Sequence, residues 1–423
     1  MRIAIIAPGS RGDIQPYIAL GTGLKKAGNF VRLQTHENFE ELVNFHELEF
    51  WPAKGNVQDV VQSEEMREVL ATGNFFAIQS QMSKQGARLA VDWARDGLTA
   101  CQGMDVILAG IGGLALATAL AEKLRISLLQ AYVVPFTPTK AFPGVLLPQS
   151  LASLGSSFNR LSHHLTRQFV WQPTRSGDKL ARKVLGLPPA PFWGPYNAEL
   201  LHQYPILYGF SPSVIPKPSD WDRNIHVTGY WFLDSGTDWT PIPALVEFLE
   251  NGTPPVYIGF GSMSNRNPEE TANLCLKALA QTKQRAVMLS GWGGLRQDNL
   301  PNTVFMIDSI PHSWLFPRMA TVIHHGGAGT TAAGLRAGVP SIVIPFFGDQ
   351  FFWGERVADL GVGPEPIPRK KLTVERLAQA IQQAVTNRSM RQNASHLGAK
   401  IQAEDGIARV IAVLQDIKQS STA

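Results

Sequence analysis

The stretch His324-His325-Gly326-Gly327-Ala328-Gly329-Thr330-Thr331 sets two imidazoles, three glycines and two hydroxyls in one run of eight residues. Glycines let backbone N–H groups approach a ligand closely, and a helix starting there adds the partial positive charge of its N-terminus. A phosphate is the natural guest, with Thr330 and Thr331 as hydroxyl donors and His325 as a ring N–H donor, and no lysine is required. Farther on, Asp349-Gln350 pairs a carboxylate that accepts hydrogen bonds with an amide that both donates and accepts. In the first half, Asp13 closes the run Gly9-Ser10-Arg11-Gly12-Asp13. Its carboxylate could take a proton from a hydroxyl, or it could simply cap the helix that follows.

Each of these groups needs a strand end to hold it. Thr321 to His325 reads as a buried strand and about Gly329 to Ala337 as a helix stopped at a left-handed Gly338. Pro340 bars its continuation before the next strand, Ser341 to Pro345, so the segment is a βαβ unit. Asp349 and Gln350 then lie beyond that strand, amid Phe346, Phe347, Phe351, Phe352 and Trp353. In the first half Arg2 to Ala7 reads as a strand and Ile14 to Ala27 as a helix, with Arg11 and Asp13 in the loop between. Polar groups at successive strand ends of an open parallel sheet face one crevice.

Gly327-Ala328-Gly329-Thr330-Thr331-Ala332 also fits the dinucleotide pattern GxGxxA, with Asp349 about where a ribose-binding acid belongs. Small residues that only let a helix pack closely on a sheet fit it equally well. A nicotinamide-dependent oxidoreductase is therefore a rival reading. Such an enzyme normally carries the fingerprint after the first strand of its nucleotide domain, whereas several strands precede it here.

HHGGAGTT followed by LRAGVPSIVIPFFGDQFFWGERV resembles the nucleotide-sugar signature of inverting glycosyltransferases of family 1, nearest to sterol and lipid glucosyltransferases and bacterial natural-product glycosyltransferases. GSRGDIQPYIALG is similar to that family's acceptor-side loop, and AFPGVLLPQ, FNRLSHHLTRQ, WQPTR and LGLPP are similar to its sterol-type members. The resemblance implies an α/β fold of two facing Rossmann-like domains, with the active site in the cleft between them. It also implies a UDP-sugar, UDP-glucose above all, as co-substrate, with no required cofactor or metal, and a hydrophobic acceptor such as a sterol, lipid or polycyclic natural product. In the implied site Asp13 is the base; Ser262, His325, Gly327, Gly329 and Thr330 hold the diphosphate; and Asp349 and Gln350 hold the hexose. Trp292, Ile310, His312 and Trp314 stand at strand ends where a uracil ring could lie. Plant-type members carry a ribose-binding glutamate where this chain has Ala333.

The remaining organisation follows from pattern and composition. Residues 1–212 are expected to form the acceptor domain, 213–240 a linker region, 241–405 the nucleotide-sugar domain and 406–423 a terminal helix. From about 135 to 195 prolines and aromatics interrupt the strand–helix rhythm, with helices expected around Phe158 to Phe169 and Ser176 to Leu185. This insertion is either a layer packed on the sheet or an acceptor pocket, with Arg11, Phe136, Phe142, Leu146, Leu147 and Trp171 as candidate acceptor contacts.

The 423 residues carry 38 Lys and Arg against 34 Asp and Glu, a net charge of +4. No basic stripe of the kind nucleic acids require is present, so the expected partners are small molecules, with peripheral membrane contact left open and no protein partner implied. A non-catalytic membrane-surface protein is the second rival. Two cysteines without CxxC spacing point away from disulfide and zinc frameworks, and a reducing, cytoplasmic setting is expected. The first strand opens the chain without a signal-peptide pattern, and no apolar run is long enough to span a bilayer. Asp220-Trp221-Asp222 has the spacing of a metal-binding DxD but no supporting carboxylates.

Overall fold

A computed structural model describes residues 1–56, 75–197, 204–234, 239–261, 268–290 and 300–422, together with Ser63, Met66, Val69 and Leu201. The chain divides into two compact units, one of residues 1–61, 75–233 and 404–423, the other of residues 62–74 and 234–403.

The first unit is built on a parallel sheet of seven strands in the order β3-β2-β1-β4-β5-β6-β7. The strands are β1 (Arg2–Ile6), β2 (Phe30–His36), β3 (Glu49–Ala53), β4 (Val106–Ala109), β5 (Ser127–Tyr132), β6 (Ile206–Tyr208) and β7 (Ile225–Val227). Runs such as RIAII and VILA are apolar on both faces because helices cover both sides of a parallel sheet. Those helices are α1 (Arg11–Lys26), α2 (Glu40–Phe45), α3 (Phe75–Cys101), α4 (Leu114–Leu124) and α5 (Ser156–Leu185). Ile5 of β1 lies in register with Leu33 on one side and Leu108 on the other, and all three are buried in one core.

The second unit has a five-stranded parallel sheet, β10-β9-β8-β11-β12. Its strands are β8 (Val256–Gly259), β9 (Ala286–Leu289), β10 (Val304–Ile307), β11 (Thr321–His324) and β12 (Ser341–Val343). The helices are α6 (Pro243–Glu250), α7 (Pro268–Thr282), α8 (His312–Leu315), α9 (Ala328–Ala337), α10 (Gln350–Asp359), α11 (Val374–Thr386) and α12 (Arg388–Gln402). Gly338 ends α9 in the left-handed region, as its place before Pro340 implies. In both sheets the strand order reverses beside the first strand, between β1 and β4 and between β8 and β11.

Several boundaries differ from the sequence reading. Ile225–Val227, expected within the linker region 213–240, hydrogen-bonds to β6 as the seventh strand of the first sheet. The preceding run was expected to be a solvated linker, yet it buries Val214, Ile215 and Trp221, and Trp221 stacks on Tyr208 at 4.7 Å. α5 is one helix of 30 residues that passes through Pro173 rather than two helices divided by it. Packing along α3, including a hydrogen bond from the Ser83 hydroxyl to the Pro173 carbonyl, offsets the backbone bond the proline removes. Gly398 does not break the helix that holds it. It lies inside α12, where a Cβ would come within 2.6 Å of the Gly338 Cα, so its role is close packing.

The last helix, α13 (Gly406–Thr422), belongs to the first unit, where it packs against α1. Gly406 begins it directly over strand-end backbone: a Cβ there would lie 2.5 Å from the Gly229 carbonyl oxygen and 2.6 Å from that of Tyr230. Neither atom can move without distorting the chain. Gly406→Ala should therefore lower unfolding stability by about 1–3 kcal/mol. Gly86→Ala, in α3 where nothing lies within 4 Å of the added carbon, should be neutral or stabilising by up to about 1 kcal/mol. Urea unfolding of the two variants beside the wild type checks the contrast.

Candidate functional site

The reversal between β8 and β11 leaves the strand ends around His324 and Gly259 open to a ligand. Gly326, with φ of +89°, turns the chain there; a side chain at this position would meet Val343 and the Gln350 carbonyl. Gly327 then caps α9 in extended conformation and offers no side-chain hydrogen bond to the helix. The first N–H groups of α9 consequently receive no side-chain cap from Gly327.

His325 lies between two glycines. A Cβ on Gly327 would come within 2.5 Å of its Nε2, and one on Gly261 within 3.3 Å of its Cε1. Burial pushes its pKa down to about 4, so the ring is neutral at pH 7. Its Nδ1 has no hydrogen-bond partner among the described residues, and neither do His324 Nε2 or Thr331 Oγ1. His324 accepts the Gly326 N–H at Nδ1, 3.1 Å, which leaves the proton on Nε2, and burial lowers its pKa to about 3. A buried polar atom left unpaired costs roughly 1–3 kcal/mol, and a ligand that hydrogen-bonds to these three would remove that cost. Uncapped N–H groups, neutral ring nitrogens and hydroxyls form a donor-rich cradle suited to an anion that is bound by hydrogen bonds.

At the end of β12 the chain turns through Gly348 into α10, and Asp349 caps that helix. The Asp349 carboxylate accepts the indole N–H of Trp353 at 3.0 Å. Gln350 is buried, and its amide oxygen accepts the backbone N–H groups of Phe346 at 2.8 Å and Phe347 at 3.2 Å. The amide oxygen expected to meet a sugar is thus occupied in shaping the loop that presents Asp349.

In the first unit α1 begins at Arg11, so Arg11 and Asp13 lie in its first turn rather than in a loop. The cause is local. Ser10 caps the helix, and Asp13 accepts both the backbone N–H and the hydroxyl of Ser10 through Oδ2, each at 2.8 Å. Asp13 therefore both caps and remains exposed at the strand end of β1. One turn on, the Tyr17 hydroxyl donates to the Ala131 carbonyl, 2.7 Å, and burial together with the Asp13 charge pushes its pKa up. His36, at the end of β2, is buried and its pKa is lowered, desolvation outweighing the opposing effects of its backbone partners and Asp13.

Two family models match the chain. Residues 3–143 match the glycosyltransferase family 28 N-terminal domain and residues 286–417 the C-terminal domain of erythromycin biosynthesis protein CIII-like proteins. A sterol 3-beta-glucosyltransferase of Arabidopsis thaliana is 36% identical over 97% of this chain and 67% of its own length. This chain belongs to that glycosyltransferase family. An Aspergillus fumigatus sterol 3-beta-glucosyltransferase is also 36% identical, over the whole chain but only 30% of its own length. The chain thus spans two thirds of the plant relative and under a third of the fungal one. Among solved structures, the kitacinnamycin glycosyltransferase superposes with a TM-score of 0.70 at 18% identity, covering 98% of both chains. A Streptomyces glycosyltransferase complexed with thymidine diphosphate gives 0.63 at 19% identity, over 98% and 99% of the two chains. These neighbours share the glycosyltransferase fold of two parallel-sheet α/β domains.

The other residues that the family resemblance singles out fall into distinct settings. Ile310, His312 and Trp314 adjoin the packing around Tyr257 and Phe316: His312 stacks on Phe316 at 4.2 Å, and Trp314 tilts against Trp239 at 5.3 Å beneath Arg318. Ala333 packs against the same cluster. Ser262 and Trp292 lie outside the described residues. Phe136 and Trp171 are buried in side-chain packing, Phe136 against Tyr132 and Tyr196, whereas Phe142, Leu146 and Leu147 are half-buried. Asp220 accepts the Thr139 hydroxyl at 2.6 Å and the Lys140 N–H at 2.8 Å, a structural task unlike that of a metal-binding DxD. Among the described residues no group of His, Cys, Asp and Glu is arranged to hold a metal.

Sequence reasoning passed over Ser10 and Trp353. Ser10 was legible as the first residue of an S-x-x-D box, and Trp353 as the i+4 neighbour of Asp349 on a helix.

The buried histidines yield a pH dependence with a definite sign. His325 and His324 have lowered pKa values in the fold, so between about pH 6.5 and pH 4 the unfolded chain binds protons that the folded chain does not. Stability is intact above that window and is lost as pH falls through it. In His325→Gln the loss in stability from pH 7 to pH 5 should shrink by about 1–2 kcal/mol, measured as the unfolding midpoint at the two pH values.

Proposed function

We propose that the protein is an inverting glycosyltransferase that moves a hexose, glucose on the names of its relatives, from a UDP-sugar to a hydroxyl of a hydrophobic acceptor. The sterol 3-beta-glucosyltransferase relatives support a sterol or another lipid as that acceptor. One observation carries the donor half: the uncapped N-terminus of α9 with the unpartnered Nδ1 of neutral His325 beside it. A nucleoside diphosphate supplies the acceptor atoms those donors lack.

In this reading Asp13 takes the proton of the acceptor hydroxyl, whose oxygen attacks the anomeric carbon from the face opposite the nucleotide. The bond to the diphosphate breaks in the same displacement, which inverts the centre. The leaving diphosphate gains negative charge, and N–H groups fixed by the fold stabilise it more in the transition state than in the bound substrate. Asp349, held by Trp353, accepts from hexose hydroxyls. Gln350 acts by fixing the loop before it, and an acceptor of this class resides in a bilayer, which favours a peripheral membrane contact.

Thermal stabilisation by UDP, TDP, UDP-glucose and NAD at equal excess tests the donor. A ligand at about 100 times its dissociation constant adds roughly 2.7 kcal/mol, so the uridine compounds should raise the midpoint and His325→Ala should remove most of that rise. A rise with NAD alone would point to an oxidoreductase. For the acceptor half, Asp13→Asn keeps an oxygen for Ser10 and should leave UDP affinity unchanged while lowering kcat by about 100-fold or more. Equal loss of both would assign Asp13 to the fold alone.

A further inference from the structure

The insertion carries a surface unlike the rest of the molecule. Between residues 135 and 195 seven lysines and arginines stand against one acid, Asp178, whereas the whole chain has a net charge of only +4. Asp178 is buried and paired at 3.3 Å with Arg182, which is itself buried, so the other six basic residues face no acid within the insertion. Leu180 and Val184, farther along α5, are exposed in the same region, and five more large apolar side chains, Leu154, Leu161, Leu165, Phe192 and Trp193, range from 41% exposed for Leu165 to 65% for Trp193.

These side chains are placed together by the backbone. Leu154 ends the short 3-10 turn that leads into α5, and Leu161 and Leu165 are one turn apart on its exposed face. Gln168 and Gln172 continue that stripe at i+7 and i+11 from Leu161. Their amides donate to the carbonyls of Trp193, 2.9 Å, and Phe192, 3.1 Å, so the turn at 191–194 is laid along the helix. Trp171 donates to the Phe192 carbonyl as well, and Gly194, at φ of +90°, sits against the Trp171 ring. With their carbonyls held to the helix, both aromatic rings are left exposed, and the Arg175 guanidinium stands over the Phe192 ring, 4.4 Å from its centroid. Arg160 borders Leu161 on the exposed face.

We infer that this face of α5 and the 191–194 turn dock on an anionic lipid bilayer, with the leucines and the two aromatic rings entering the headgroup region. Aromatic side chains favour that depth, arginines there keep their charge among the headgroups, and anionic lipid supplies the opposite charge. A second copy of this chain would instead bring the same positive surplus to the contact. The contact is peripheral, since among the described residues no helix is long and apolar enough to cross a membrane.

The opposite side of the same helix holds the stretch that carries Phe142, Leu146 and Leu147. His163 donates to the Phe142 carbonyl at 3.0 Å, and the Gly144 N–H donates to the Ser162 hydroxyl at 2.8 Å. Docking therefore sets the candidate acceptor segment beside the bilayer; this last step rests on the function proposed above, while the docking itself does not.

Co-sedimentation of the full chain with vesicles tests the surface. Binding is expected to vesicles containing phosphatidylserine, to weaken with added salt, and to be much poorer for phosphatidylcholine alone. Leu161→Asp with Leu165→Asp, and separately Trp193→Asp, should reduce the bound fraction roughly tenfold with the unfolding midpoint and the stabilisation by UDP unchanged. Wild-type protein that stays in the supernatant, variants that bind as well as it does, or a dimer in sedimentation velocity that the same substitutions abolish would each overturn the proposal. Vesicle binding that persists in a protein UDP does not stabilise would sink the sugar-transfer reading and leave the docking surface standing.

Discussion

Everything chemical in this protein depends on where a parallel sheet reverses its strand order. Beside β1 and beside β8 the connections leave in opposite directions, and the backbone at the strand ends is left open between them. Asp13 follows β1 and His325 follows β11, so each candidate group stands at the reversal of its own sheet. The close approach this demands is visible in the glycines. Gly113, after β4, leaves only 2.6 Å between an added Cβ and the Ile6 carbonyl of β1, and Gly326 and Gly327 leave no room for side chains beside β11.

The proposed anion cradle would work through dipoles rather than net charge. Both histidines are neutral because burial makes the imidazolium costly, and α9 begins at a glycine that supplies no cap. Fixed N–H groups need no reorganisation when charge develops on a leaving group, whereas water would have to reorient. The ring nitrogens and the Thr331 hydroxyl that have no partner among the described residues are a cost to the free protein, and a bound diphosphate would offset it. Around this cradle the supporting bonds are strong. Trp353 fixes the Asp349 carboxylate, and Gln350 ties down the backbone of the preceding loop.

The insertion divides its labour between two faces of one helix. The inner face of α5 buries Asn159, Ser162, His163 and Thr166, and two of these bond the 142–144 backbone. The outer face is apolar and basic, an arrangement that is costly in water unless some surface covers it. A single long helix serves both because Pro173 interrupts one backbone bond without breaking the rod, the contact with α3 holding its halves in line.

Local rules made much of this legible from the order of residues. Gly338 before Pro340 ends α9, fully apolar runs announce strands buried on both faces, and the glycines after His325 mark the turn from β11 into α9, because each is decided within a few residues by sterics or capping. Ser10 with Asp13 was legible in the same way, as a capping box that draws Asp13 into the helix. What distant contacts decide was not. β7 joins the first sheet because Trp221 stacks on Tyr208 and β6 offers a free edge, and α13 returns to the first unit because Gly406 fits against Gly229 and Tyr230. Gln350 looks from its neighbours like a sugar ligand, yet the fold brings two backbone N–H groups to its amide oxygen first. Composition counts such residues as polar and available; only tertiary packing determines which of their atoms are already spent.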